Sequence, residues 1–169
     1  AALRAHWRAT PRKLRSTLSA ESGRVFDQDL VKALTGLLIE SAYEDWPVRL
    51  TSDEAKIAAE WATLEMNAFP EWFDTLAKAH HDAVCSVCLS ELRHEVDCFT
   101  AGEYPQVLSM MKRGPRSTQL AAAPQIYDAV VSWAGERDST PPHPGTTYAS
   151  LLLGLLEALV QVGFRTHDL

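Results

Sequence analysis

Three cysteines are too few, and of the wrong parity, for a disulfide framework. An odd set of thiols fits a reduced, cytoplasmic protein. No N-terminal stretch has the basic, apolar and small-residue order of a signal peptide. Long hydrophobic runs are also missing. The longest, YASLLLGLLEALVQVGF, carries Glu157 and Gln161 and falls short of the roughly 20 apolar residues that a membrane helix needs. The eight glycines include no GxxxxGK[ST] loop to cradle a phosphate. HExxH and GxSxG are absent too, which removes the usual signatures of zinc proteases and serine hydrolases. No run of alternating β-branched residues lies between turn signals, so no strand is expected. The chain starts at Ala1 rather than methionine, which suggests a piece excised from something longer.

Bases are scarce over most of the chain. Residues 20–109 hold 17 acids against 6 bases, a local −11, within a net charge of −6. Such a body argues against nucleic acid, because phosphate binding depends on accumulated Lys and Arg. Residues 1–19 are the exception, with Arg4, Arg8, Arg12, Lys13 and Arg15 and no acid. A run of this kind commonly forms a solvated face or docks on the chain's own acidic surface. Binding of nucleic acid through residues 4–15 is a third reading, marked by steep salt dependence.

What is present is helical. At 169 residues with 46% hydrophobic and 22% charged, the chain has ordinary globular composition and enough length for a core without disulfides or metal. In DLVKALTGLLIESAY, Leu30, Val31, Leu34, Leu37, Leu38 and Ala42 recur at spacings of three and four, one apolar stripe. Thr51 and Glu54 form a capping-box pattern at the head of TSDEAKIAAEWATLEM. Pro70 suits a first helical position. The cysteine-bearing segment reads as a helix from about His81 to Val96, and EYPQVLSMMK as a short one ending before Gly114. Pro124 is expected to start or kink a helix. ERDSTPPHPGTT is a loop, and Thr146 or Thr147 caps a last helix that is apolar nearly all round and so should be covered. The expectation is all-α: seven or eight helices in antiparallel hairpins, stacked as a HEAT-like solenoid in one domain, 1–169.

Three segments carry a resemblance: RAHWRATPRKLRST, GLLIESAYEDWPVRLTSDEAKIAAEWATLEMNAFPEWFDTLAKAHHDAV and LSELRHEV. In this order they resemble a helical-repeat region of large bacterial P-loop ATPases of the NACHT/STAND type, over roughly residues 4–96. The resemblance implies the sensor or scaffold half of a signalling or defence ATPase, binding a trigger or holding the ATPase inactive. Nucleotide chemistry would then lie outside these residues, and no catalytic residue is carried over.

HHDAVCSVCLSELRHEVDC, residues 80–98, holds all three cysteines and three of the six histidines. His81, Cys85 and Cys88 fall within about 60° of arc on one helix, a possible zinc set. His94 lies about 220° round from His81, so His94 and Cys98 point elsewhere. The simpler reading makes Val84, Val87, Cys88 and Leu92 a core stripe with Glu91 at its edge and Cys85 at its border. A reactive Cys85 would need activation by His81, while Asp82 is expected on another side of the helix. Glu40, Glu44 and Asp45 are expected to be solvated acids. The five tryptophans are expected to be packing anchors, with Arg4, Trp7, Arg8, Arg12 and Arg15 as the candidate partner-binding set. Arg4, Arg8 and Arg12 form one ridge only if a helix continues through Pro11. Together these features point to a non-enzymatic recognition or scaffold module without metal or cofactor. It would bind a protein partner or neighbouring domains of the same chain. The alternative is a stand-alone bundle that binds zinc or a small ligand through His81, Cys85 and Cys88.

Overall fold

The computed structural model describes residues 2–17, 28–98, 105–136, 147–161 and 163. Among these residues all regular structure is helical and there is no strand. In order come α1 (Ala2–Ala9), α2 (Gln28–Ser41), α3 (Trp46–Arg49), α4 (Ser52–Thr63) and α5 (Phe73–Ala79). They are followed by α6 (His81–Cys98), α7 (Gln106–Arg113), α8 (Arg116–Glu136) and α9 (Thr147–Gln161). Among the described residues these make nine α-helices against the expected seven or eight. The addition is α3, four residues long and therefore too short for periodicity to register. Of the loop expected over residues 136–147, Glu136 ends α8 and Thr147 is already the first residue of α9 rather than its cap; residues 137–146, with Thr146 as the other expected cap, lie outside the described residues.

Residues 1–91 and 92–169 form two compact units. In the first, α1 lies on α2, and α4 packs against both. Helix α1 stops at Ala9 because the residue before Pro11 is pushed out of the helical region. Arg12 therefore sits beyond the helix, and no continuous ridge forms. The C-terminal carbonyls of a helix lack partners within it. Here Trp61 supplies one: its Nε1–H donates to the Trp7 carbonyl at 2.8 Å.

The buried face of α2 matches the stripe read from the sequence only in part, at Leu37. Ala33, Gly36 and Leu37 are buried, whereas Val31 and Leu38 are exposed. The reason is close approach: a Cβ placed on Gly36 would lie 2.2 Å from the Leu3 carbonyl oxygen. Small residues at 33 and 36 let α1 settle there, and packing on that face outweighs the larger side chains at 31 and 38.

Thr51 caps α4 through the expected box: the Glu54 N–H donates to Thr51 Oγ1 (3.2 Å) and the Thr51 N–H to Glu54 Oε2 (2.9 Å). Alanines 55, 58, 59 and 62 are fully buried on α4, which lets neighbouring backbones come near. Pro70 does not open α5. It closes a turn, its carbonyl accepting from the Phe73 N–H at 2.9 Å, and the helix starts at Phe73. Trp72 meets Trp46 edge-on with centroids 5.7 Å apart, tying α5 to α3. All five tryptophans are buried.

In the second unit, α9 packs on α7 and α8. Pro124 lies inside α8 rather than at its start. One missing N–H is tolerated there because Ala122, Ala123, Ile126 and Val130 are buried around it, so tertiary packing outweighs the local defect. Helix α7 begins at a proline N-cap without a side-chain acceptor. Its first free donors are instead taken by Glu95, whose buried carboxylate accepts from Val107 N–H (2.6 Å) and Leu108 N–H (3.1 Å). This negative charge also sits at the positive end of the helix. Helix α9 is covered on one side by Leu155 and Leu159, but Leu153, Leu156 and Val160 are exposed. Among the described residues the complete cover expected of it is not found. No described helix is long and apolar enough to cross a membrane.

Candidate functional site

The N-terminal arginines reach carboxylates far along the chain. Arg8 is the centre. Its Nη1 and Nη2 donate to the two oxygens of Glu40 (2.8 and 3.0 Å), its Nε donates to Glu54 (2.6 Å), and Nη1 also reaches the Arg4 carbonyl (2.9 Å). This is a bidentate fork on one acid with a second acid at its side, the geometry guanidinium is built for. Burial pulls the Arg8 pKa down, but the hydrogen bonds and charges of Glu40 and Glu54 outweigh it, and the net shift is upward. Glu54 is held below its ordinary value, first by the Thr51 N–H and then by Arg8. Arg8 also stacks on the Trp7 ring, 4.0 Å from the centroid.

Beyond the helix, Arg12 donates to Glu60 (2.6 Å) and the Ser16 hydroxyl to Glu91. Both acceptors are buried carboxylates, so residues 10–16 run as a polar strap over α4 and the first half of α6. At the other end, Arg4 donates to the Tyr43 hydroxyl and lies over its ring, 4.7 Å from the centroid. Arg49 pairs with Asp45 one turn before it.

A cavity of about 240 Å³ opens between these groups. Arg4, Arg8, Glu40, Tyr43, Trp46 and Arg49 line it. Leu50 and Glu54 complete the wall. The candidate set thus separates. Arg4 and Arg8 line the cavity, Trp7 is fully buried, Arg12 serves the strap, and Arg15 opens the 3-10 turn Arg15–Thr17. Glu40, expected to be solvated, is instead mostly buried under Arg8, its side chain 12% exposed; only the fold brings a base to it. Tyr43, Trp46 and Arg49 complete the wall and were not singled out as a set from the sequence. Their signal was the aromatic and proline cluster around YEDWPVR, which marks a tight corner.

The cysteine stretch gives a different picture. Val84, Val87, Cys88 and Leu92 are buried, and so are Cys85 and Glu91. The His81 Nε2 lies 3.4 Å from Cys85 Sγ, and its Nδ1 lies 3.1 Å from Asp82 Oδ1. Asp82 therefore does reach His81, contrary to the helical-wheel expectation: at the first residue of α6 the two side chains fold back on each other. The three groups form a line, yet the thiol is not activated. Burial, and then the charge of Asp82, push the Cys85 thiol up to about 11. Cys88, wholly buried, is raised further. Among the described residues no three His, Cys, Asp or Glu side chains gather as a metal site.

No protein-family model, curated protein or solved structure matches the chain.

Proposed function

We propose that this chain is a non-catalytic helical module that recognises a protein partner, working as the sensor or scaffold part of a larger bacterial signalling ATPase. The arginine and aromatic cavity carries the recognition reading. Arg, Tyr and Trp are the residues that dominate binding energy at protein interfaces, and here they converge on one open site. At about 240 Å³ the cavity lies below the range of roughly 300–1,000 Å³ usual for sites that enclose a small molecule. It suits one anchoring side chain of a partner. The ATPase setting rests on the resemblance of residues 4–96, and the stacked-hairpin arrangement is proposed with it.

The test starts from the gene. Where a nucleotide-binding segment is encoded in the same reading frame, ATP hydrolysis by the full protein is measured for the wild type, for Tyr43→Ala and for a form lacking residues 1–169. Hydrolysis that changes in both altered forms supports the proposal. A reading frame without such a segment overturns the ATPase setting, and hydrolysis indifferent to both changes overturns the regulatory role.

A further inference from the structure

We propose that the cavity beside Tyr43 binds the carboxylate of an acidic side chain from a partner peptide, with Arg4 as the reading group. This deepens the recognition reading above and rests on it. The cavity's charges are unequally engaged. Arg8 already places four hydrogen bonds, on Glu40, Glu54 and the Arg4 carbonyl, and the Thr51 N–H takes the second oxygen of Glu54, so every carboxylate oxygen of the two acids in the wall already has a donor. Arg49 holds Asp45. Arg4 alone among these three arginines has no carboxylate partner among the described residues; its contacts are the Tyr43 hydroxyl and ring. Of the five N–H donors on a guanidinium, one is committed, and the phenol that accepts it keeps its own O–H to donate.

The wall also has apolar members. The buried Trp46 and Leu50 line the same space, and the Trp46 Nε1–H is buried without an acceptor among the described residues. The site thus offers a planar cationic fork and a phenol donor together with aromatic and aliphatic side chains. A glutamate side chain, with an apolar stem ending in a planar anion, matches both parts. A cation is disfavoured because the oxygens of Glu40 and Glu54 are already taken and three arginines line the cavity. A phosphate finds only one uncommitted guanidinium. The openness of so small a cavity lets the rest of a peptide pass outside.

The experiment uses an acetylated, amidated oligoglutamate peptide, with the oligoglutamine peptide as neutral control. Binding is followed by NMR of the Trp46 indole N–H and the Arg4 Nε–H, assigned through Trp46→Phe and Arg4→Ala. Oligoglutamate is expected to shift both signals saturably, more weakly at high salt, while oligoglutamine shifts neither. Arg4→Ala is expected to weaken binding about tenfold or more, the worth of one charge-assisted hydrogen bond, and Arg4→Lys by less than Arg4→Ala. Unchanged thermal melting of Arg4→Ala shows that the loss is not unfolding. The proposal is overturned by absence of a shift at millimolar oligoglutamate, by unchanged affinity in Arg4→Ala, or by tighter binding of inorganic phosphate. Free glutarate binding as tightly as the peptide overturns the peptide source. If Tyr43→Ala alters ATP hydrolysis of the full protein but oligoglutamate does not bind, recognition stands and only the carboxylate chemistry falls.

Discussion

Replacing Gly36 by alanine sets two opposing helix energies against each other, and the structure decides the sign. In a free helix the change is favourable by about 1 kcal/mol, because glycine loses more backbone freedom on ordering and alanine is the best helix former. Here the new methyl would stand 2.2 Å from the Leu3 carbonyl oxygen, where real Cβ atoms stay beyond 3.0 Å, so at least 0.8 Å of separation is missing. The obstructing atom is backbone and has no rotamer to escape into. Helix α1 as a whole must lift, loosening the fully buried Trp7 and the Arg8 fork on Glu40 and Glu54. Overpacking of this kind costs about 1–3 kcal/mol, so a net loss of about 1 kcal/mol is expected once the propensity gain of about 1 kcal/mol is set against it. Urea denaturation followed by far-UV circular dichroism measures the change. Gly135→Ala is the matched control: a Cβ there meets nothing within 4 Å, so this variant is expected to gain about 0.5–1 kcal/mol. A Gly36→Ala protein as stable as wild type, or more stable, refutes the close approach of α1 to α2.

Three further outcomes are expected. In a Cys98→Ser background, Cys85 and Cys88 should resist iodoacetamide near neutral pH and react only after unfolding, since burial raises both thiols; rapid labelling of the native protein contradicts the buried stripe. Glu54 has its pKa lowered from 4.5 in the fold, so the native state binds fewer protons than the unfolded chain. Its stabilisation is complete above that ordinary value and is lost as pH falls through the lower folded one. Glu54→Gln should therefore flatten the loss of stability below pH 4.5 in acid titrations monitored by circular dichroism, and an unchanged acid limb counts against the Thr51 and Arg8 contacts. Glu95→Ala should destabilise by about 2–4 kcal/mol, since two N–H donors at the start of α7 lose a buried acceptor; a loss under about 0.5 kcal/mol, the level of a surface change, contradicts that cap.

Much of the fold was legible residue by residue. The capping box at Thr51 and Glu54 could be read because all its atoms belong to four consecutive residues. The same locality made the cysteine helix and the core position of Cys88 readable. The candidate site was half legible: Arg4 and Arg8 were singled out for charge and spacing, but their partners were not. Glu40 and Glu54 stand 32 and 46 residues from Arg8, and no local pattern links them. The readings that changed share this origin. Val31 and Leu38 looked like core by size, yet the small residues at 33 and 36 set the packed face. Pro124 looked like a boundary, yet packing on its neighbours carries α8 past it.

By itself, then, the sequence determined the helical class, the helix starts that short-range hydrogen bonds define, and the basic N-terminal segment set against an acidic body. Periodicity and capping act over one or two turns, so they are written in neighbouring residues. Only the tertiary structure decided which face of α2 meets α1, which acids the arginines neutralise, and that Arg4 is left beside Tyr43 at an open cavity. Those outcomes depend on where backbones approach and on pairs brought together across 30 residues or more. Close approach of Gly36 to Leu3 places the arginines over Glu40 and Glu54, and once Arg8 has taken both acids, Arg4 remains the uncommitted charge.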